Sequence, residues 1–262
     1  MTVFRESFWR DGVGIVRGAA SPEWVDRLRG AVAEHLATPS ERLNELSSSS
    51  TGRFVNGHGV LAAVPELNQF LRLSDLAAEV RGLFAGGPVA LIDDQVFAKA
   101  PRTDDEMPWH QDGSFWPISG DELCTSWLAL DDVSRETGGL ELIPGSHRWG
   151  TMFQAVGART DPSLIDPNHE ALPQDIDLRK QHHVICPGLA AGDALVFHSA
   201  TLHRSGPNTS AVTWRRALVL RWAGGDARFD AREYAAPRAS VAAAQHGLTV
   251  GAPYVGAGFP EF

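Results

Sequence analysis

The chain is poor in cysteine and lysine and has no long apolar run. Its two cysteines, Cys124 and Cys186, form no C-x-x-C pair and could close at most one bridge. A disulfide framework is therefore excluded, and two free buried thiols in a reducing compartment are expected. Lys99 and Lys180 are the only lysines, so nearly all positive charge is arginine, and 23 basic against 32 acidic residues leave a net charge of -9. No basic stripe is available for a phosphate backbone to follow, which argues against a nucleic-acid partner. Arginine in place of lysine, together with much alanine, points to a GC-rich bacterial genome. The best apolar stretch, Val184 to Phe197, is broken by Pro187, Gly188, Gly192 and Asp193, short of the roughly 20 residues a membrane helix needs. The opening MTVFRESFWRDG carries charges where a signal peptide has its apolar core. A soluble cytoplasmic protein without a membrane partner is expected. The remainder is ordinary globular composition, 43% hydrophobic and 21% charged over 262 residues, enough for one domain with a sizeable core.

Two helices can be read from the pattern. Ser21-Pro22-Glu23 is an N-cap, a first-turn proline and an acid at the positive helix end, followed by Val25, Leu28, Val32 and Leu36 at helical spacing, so residues 22–37 are predicted helical. A second helix starts near Ser74-Asp75, with Leu76, Val80, Leu83 and Phe84 on one face, and stops at Gly86-Gly87-Pro88. Between them, the polar stretch with Ser47 to Ser50 and Gly52 reads as a mobile loop outside the core. After Pro88 come short apolar or alternating segments: Val89 to Ala98, Leu123 to Leu130, Leu140 to Ile143, Ala194 to Phe197 and Ala217 to Trp222. Such strands with Gly, Pro, Asp and Asn between them predict an antiparallel sandwich or barrel. Residues 151–180 read as a long insertion, and the tail from Ala235 as a surface wrap.

Trp109-His110-Gln111-Asp112 is the first chemical constellation. On an extended strand positions i and i+2 share a side, so the His110 imidazole and the Asp112 carboxylate can converge on one ion. The second lies far downstream: a strand to Phe197, then His198, His203, Ser205-Gly206-Pro207-Asn208 and Arg215-Arg216. One distant histidine would complete two histidines and a carboxylate, the set that suits non-haem Fe(II) with open positions for oxygen and a cosubstrate. His203 is the preferred third ligand and His198 a packed strand histidine, although spacing alone leaves both open. His147 reads as a hydrogen-bonding loop residue, since a fourth protein ligand would close a position that oxygen needs. Thr137-Gly138-Gly139 and Pro144-Gly145-Ser146-His147 read as turns. Trp109, Phe115, Trp116 and Phe153 are pocket aromatics or plain core.

Together these segments resemble the phytanoyl-CoA dioxygenase family of Fe(II)- and 2-oxoglutarate-dependent oxygenases. The matching pieces occur in the family's order: Phe8 to Gly12, Phe97-Ala98-Lys99, Trp109 to Asp112, Ser126 to Asp132, Thr137 to Leu140, Ile143 to His147 and His203 to Asn208. The resemblance implies a mainly β fold, a double-stranded beta-helix or cupin-like jelly roll over about 88–225, with a helical N-terminal part over about 1–87 and a tail over 226–262. It implies His110, Asp112 and His203 as the catalytic metal ligands. It implies Lys99, Trp127, Ser205 and Arg215 as contacts of 2-oxoglutarate, with Arg216 as competitor because the spacing from His203 is one residue longer than the family pattern. A buried distal carboxylate needs a paired charge, and an arginine fork supplies one.

The function expected is hydroxylation of a small-molecule substrate with Fe(II), 2-oxoglutarate and O2, giving succinate and CO2, of the kind found in bacterial secondary metabolism. Desaturation, cyclisation or epoxidation by the same chemistry is the alternative; a cupin-like metal isomerase or hydrolase and a non-catalytic binding module are the rivals. The carboxylate of Asp112 argues against a halogenase, in which a small residue leaves room for chloride. Leu36 to Gly59 and Thr151 to His183 are expected to close over substrate, with Phe54, Phe153 and Leu164 as apolar contacts. The oligomeric state is left open.

Overall fold

The computed structural model describes residues 3–38, 40–47, 52–84, 87–157, 165–235 and 237–262. In chain order the elements are α1 (Val3–Asp11), β1 (Val13–Val16), α2 (Pro22–Ala37), β2 (Leu43–Glu45), β3 (Phe54–His58), α3 (Val60–Ala63), α4 (Pro65–Leu73), α5 (Leu76–Leu83), β4 (Ala90–Lys99), β5 (Met107–His110), β6 (Ile118–Ser119), β7 (Leu123–Ala129), β8 (Leu140–Leu142), α6 (Asp175–Gln181), β9 (Ala194–His198), β10 (His203–Ser205), β11 (Arg215–Ala223), β12 (Arg228–Phe229) and α7 (Pro237–Gln245). A seven-stranded sheet in the order β1-β9-β7-β11-β4-β3-β2 faces a three-stranded sheet, β5-β10-β8, and β12 pairs with β6. Pairing between these strands is antiparallel. The architecture is a cupin-like jelly roll with helices packed on one sheet.

Strand β11 shows how the sequence builds these layers. Alternate side chains leave a strand on opposite faces. Leu218, Leu220 and Trp222 turn outward and join Val96, Ala98, Leu128 and Val196 beneath the N-terminal helices. Ala217 and Val219 turn inward with Trp127, Leu195, Phe197 and Leu142, filling the space between the sheets. Each such fully buried Val or Leu contributes about 1.5–3 kcal/mol. Helix α2 supplies the opposing wall: Ser21 Oγ accepts from Trp24 N (3.3 Å), Pro22 occupies the first turn, and Val25, Leu28, Val32 and Leu36 are buried.

The five predicted strands are present as β4, β7, β8, β9 and β11, with ends displaced by one or two residues, and the two predicted helices are α2 and α5. The stretch between those helices departs from expectation. Ser48 to Ser50 lie outside the described residues, but β3 beside them is a strand of the large sheet, and its Phe54 and Val55 are each 1% exposed. Its apolar pair was masked by the neighbouring serines and glycines. The N-terminal part thus contributes β1, β2 and β3 as well as helices, and α4 buries Leu67, Phe70 and Leu71. Phe54 and Phe153 already sit in the interior, so neither waits at an open lid; Leu164 lies outside the described residues. The tail is also more than a surface wrap. After α7, Tyr254 and Phe259 are buried, Phe262 packs on Trp222 at 5.7 Å between centroids, and Pro260 O accepts from Leu91 N (2.8 Å). Cys124 is buried and Cys186 half-buried, both free.

Candidate active site

The motif around His110 works by alternation. Strand β5 ends at His110, Gln111 stays extended, and Asp112 opens a short 3-10 turn, so His110 and Asp112 point inward while Gln111 points away. Gln111 is locked outside: its Nε2 donates to Ala200 O (2.9 Å) and Thr151 O (3.1 Å), and its Oε1 accepts from Phe153 N (2.9 Å). Trp109 also faces away, donating from Nε1 to Asp175 Oδ1 (2.6 Å) at the start of α6.

His203 opens β10 directly opposite His110 in the antiparallel register. The ring centroids lie 4.1 Å apart, and one potential ligand atom from each of His110, Asp112 and His203 falls within 4.8 Å of the others. Nδ1 of His110 donates to Pro108 O (2.8 Å) and Nδ1 of His203 to Thr201 O (2.9 Å). Both rings therefore leave Nε2 unprotonated, as a metal requires. Burial pushes both imidazoles down, His203 to about 3, so they stay neutral. Burial drives the Asp112 carboxyl up, but the Arg221 guanidinium, His203, His110 and the Thr125 hydroxyl outweigh it and hold it below the usual carboxylate range. Thr125 Oγ1 donates to Asp112 Oδ2 (2.6 Å) and Arg221 Nη2 to Oδ1 (3.3 Å). Two imidazoles and one anchored carboxylate, with the remaining positions open, fit iron(II).

His198 is not part of this group. On β9 it faces the helices, with Nε2 donating to Asp121 O (2.9 Å), Nδ1 accepting from Ala200 N (3.1 Å) and Phe8 and His147 against its ring. His147 lies beside it, its Nε2 donating to Trp9 O (3.3 Å), away from the His110 group.

A second assembly lies on the inner face of the large sheet. Lys99 and Arg215 are register partners on β4 and β11, and Phe54 on β3 pairs with Lys99 on its other side. Lys99 is 0% and Arg215 1% exposed, and neither forms an ion pair among the described residues. Lys99 Nζ donates to Gly206 O (2.6 Å) and Ser205 Oγ (3.1 Å) and sits 4.5 Å from the centre of the Phe54 ring. Because Ser205 Oγ accepts that bond, its own hydrogen is free to donate. Arg215 lies 5.6 Å from the Trp127 ring, and its Nε has no hydrogen-bond partner. Burial, with Arg215 as neighbour, brings the Lys99 ammonium down to about 6; burial brings Arg215 down to about 10. A buried guanidinium without an anion, a lysine beside it that an incoming anion would protonate, and a free hydroxyl fit the distal carboxylate of 2-oxoglutarate. A narrow crevice of about 40 Å3 is lined jointly by His110, Asp112, His203, Ser205, Arg215 and Trp127. Arg216, the competitor, turns to the other face, where its Nε and Nη2 hold Asp131 at 2.8 and 2.7 Å.

The loop carrying Ser205 is pinned by Asn208, whose Nδ2 donates to Thr213 O (2.8 Å), Ala100 O (3.0 Å) and Lys99 O (3.2 Å). Gly138, at φ +77, passes under this loop where a Cβ would come 2.8 Å from Gly206 O. That contact gives the Thr137-Gly138-Gly139 turn its place in the fold.

A cavity of about 540 Å3 opens beside the His110 group. Phe115 and Trp116 line it, whereas Trp109 and Phe153 belong to a separate core with Ile143, Leu178 and Leu202. Sequence reasoning missed Arg221 with its partners Asp93 and Gln95, and Thr125, which also anchors Asp112. The available signal was parity, since Arg221 shares the face of β11 that carries Arg215.

The phytanoyl-CoA dioxygenase family model matches residues 8–217. The chain is 26% identical over 198 residues to a probable alpha-ketoglutarate-dependent hypophosphite dioxygenase of Stutzerimonas stutzeri, covering 76% of this chain and 66% of the relative. It is 31% identical over 147 residues to an L-proline trans-4-hydroxylase of Streptomyces griseoviridis, covering 52% and 54%. The chain thus spans about half to two thirds of these curated relatives. The solved structure of the epimerase SnoN with Fe3+, alpha ketoglutarate and nogalamycin RO superposes with a TM-score of 0.74 at 22% identity, covering 98% of this chain and 96% of that one. The structure of EctD from S. alaskensis with 2-oxoglutarate and 5-hydroxyectoine gives a TM-score of 0.72 at 19% identity, covering 90% and 80%. No helix among the described residues is long and apolar enough to cross a membrane. By the extent of the family match, the chain belongs to the phytanoyl-CoA dioxygenase family of iron- and 2-oxoglutarate-dependent oxygenases.

Proposed function

We propose that the chain is a single catalytic domain that hydroxylates an unactivated C–H bond of a small molecule. One observation carries the reading: the crevice lined by His110, Asp112 and His203 is also lined by Arg215, a buried guanidinium with no carboxylate partner among the described residues. When bound, iron(II) with 2-oxoglutarate and O2 supplies an oxidant able to attack carbon, with succinate and CO2 as co-products. His110, Asp112 and His203 hold the metal. Pro108 O and Thr201 O fix the ring orientations, and Thr125 and Arg221 each take one lone pair of Asp112, leaving the others for the metal. Arg215 and Lys99 neutralise the distal carboxylate, Ser205 donates its free hydroxyl hydrogen to it, and the Trp127 ring flanks the guanidinium. Phe54, Phe97 and Phe197 exclude water from this crevice. The substrate occupies the larger cavity, which reaches His110 and Asp112 past Phe115 and Trp116.

A metal isomerase or hydrolase would leave the Arg215 guanidinium charged, buried and without an anion. Desaturation, cyclisation and epoxidation would use the same residues and differ only in the substrate presented. The test is anaerobic incubation with Fe(II) and 2-oxoglutarate, then oxygen and a metabolite panel, following succinate and product mass. Succinate with a product heavier by one oxygen atom is expected. A product lighter by two hydrogens would overturn hydroxylation, and no consumption of 2-oxoglutarate with any member of the panel would overturn the oxygenase reading.

A further inference from the structure

The 540 Å3 cavity has a polar end, at a hydrogen-bond chain running away from Asp112. Arg221 Nη1 donates to Gln95 Oε1 (2.6 Å) and to Asp93 Oδ2 (2.9 Å). With its oxygen committed to Arg221, the Gln95 amide presents Nε2 to His58 Nδ1 at 2.6 Å. Nδ1 therefore accepts, and the proton of the imidazole sits on Nε2. That nitrogen lies 3.2 Å from the Asn56 amide nitrogen, Nδ2, and Asn56 Oδ1 is left buried without a hydrogen-bond partner. An N–H cannot face an NH2 group, so the Asn56 amide is assigned turned over by 180°, with Oδ1 accepting from His58 and the NH2 group directed away in place of the unpartnered oxygen. Asn56 is buried, 8% exposed, and lines the cavity. One charged contact at Arg221 thus fixes, through three side chains, the sign of the group shown to a ligand: a donor. Asn44, the register partner of Asn56 on β2, adds a second carboxamide at the exposed rim.

The rest of the cavity has a different character. Phe115, Trp116, Tyr254 and Phe259 form an aromatic wall, and the Tyr254 hydroxyl is committed to Pro117 O (3.1 Å), leaving its ring. Arg221 is the only guanidinium or ammonium among the described lining residues, and it is occupied by Asp93, Gln95 and Asp112. A carboxylate or phosphate entering here would meet Asp93 and Asp112, with no free cation among the described lining residues to receive it.

Resting on the oxygenase reading above, we propose that the substrate is an uncharged amphipathic molecule whose carbonyl, ether or hydroxyl oxygen accepts from Asn56 Nδ2 while an apolar ring body lies on Phe115, Trp116, Tyr254 and Phe259. Cavities of a few hundred Å3 lined in this way take molecules of that size.

The test uses three probes on one bicyclic skeleton: 2-tetralone, which carries a neutral acceptor oxygen; tetralin, which has none; and tetralin-2-carboxylate, an anion. Binding to the full chain loaded with Fe(II) and 2-oxoglutarate under anaerobic conditions is read by saturation-transfer NMR and titration. The ketone is expected to bind about tenfold more tightly than the hydrocarbon, the worth of one net hydrogen bond, and more tightly than the anion. Asn56→Leu should erase the preference for the ketone while leaving tetralin unchanged. Asn56→Asp, which keeps the shape and replaces the donor by an acceptor, should erase it too, and it serves if the Leu variant fails to fold. Tightest binding of the carboxylate, or a ketone preference that survives both substitutions, overturns the proposal. The absorption of the Fe(II)–2-oxoglutarate complex, recorded on the unsubstituted protein without probe, reports separately on the oxygenase reading: its absence would sink that reading, whereas the probe ranking speaks to the subsite alone.

Discussion

Adjacent arginines on β11 should separate cleanly in experiment, because their side chains leave opposite faces of one strand. Arg215 is 1% exposed with no ion-pair partner among the described residues, while Arg216 holds Asp131 through two nitrogens. Replacing Arg215 by Met removes the fork that would pair with the distal carboxylate of 2-oxoglutarate. Losing one partner of a buried charge pair costs about 3 kcal/mol or more, so the 2-oxoglutarate concentration needed should rise roughly 100-fold. The same substitution removes an uncompensated buried cation from the empty protein, so without cosubstrate its thermal midpoint should hold or increase. Arg216→Met should do the reverse. It leaves the Asp131 carboxylate, of which about a tenth is exposed, with less compensation, at a cost of about 1.5–3 kcal/mol in stability. For a chain of this size that lowers the midpoint by several degrees, at about 2–4 °C per kcal/mol. The 2-oxoglutarate requirement should stay within about twofold. Thermal denaturation with and without 2-oxoglutarate, together with anaerobic titration of the Fe(II) protein, measures both quantities on the same samples. If Arg216→Met is the variant that loses 2-oxoglutarate, or if the two behave alike, the assignment of faces is refuted.

Three further outcomes are expected. His110→Ala, Asp112→Ala and His203→Ala should each abolish Fe(II) binding in equilibrium dialysis with the far-ultraviolet circular dichroism kept, and His198→Ala should bind iron normally; iron binding that survives His203→Ala would remove that residue from the site. Lys99 in the empty site titrates near 6 through burial and its neighbour Arg215, so above that pH an incoming dianion must draw a proton to it: affinity for 2-oxoglutarate should fall about tenfold per pH unit above 6, and Lys99→Met should flatten the profile. The unfolded chain binds more protons than the folded one between about 6 and the ordinary lysine value, so this group also makes the empty protein's stability rise with pH across that window. Leu220→Ala, on the outer face of β11, should cost about 2–5 kcal/mol in denaturant unfolding while leaving Fe(II) affinity alone.

What the sequence revealed and what it hid divide along a physical line. Long strands with one or two apolar faces were readable, and so was α2, because periodicity and an N-cap are local signals. Strands β3 and β10 were not readable as strands: β10 is His203-Arg204-Ser205, with no apolar side chain to mark a face, and the apolar pair of β3 sits among glycines and serines. Their places come from pairing partners far away in the chain. The site residues divide the same way. His110, Asp112 and His203 lie in motifs, whereas Arg221 and Thr125 carry no local mark, and their contacts with Asp112 exist only because β7 and β11 run side by side.

Register separates the histidine proposed to hold iron from the one that packs beneath the helices. His203 and His110 are directly opposed across the β10–β5 pairing, where facing Cβ atoms lie about 4.5–5.5 Å apart, close enough for both rings to reach one ion. A one-residue slip of β10 would turn His203 away and bring in Leu202 or Arg204, since neighbouring side chains leave a strand on opposite faces. Slippage is resisted on both sides of the histidine. Leu202 is fully buried in the outer cluster with Trp109 and Ile143, and Arg204 is tied at that surface to Glu106 (2.7 Å) and Asp175 (3.1 Å). His198 belongs to the other sheet, where its register partner is Cys124 and its ring packs under α1. No rotamer of His198 brings it to the inner face without unpairing β9 from β7. The sequence distance between the two histidines is small, but the sheet boundary between them gives only His203 access to the proposed metal site.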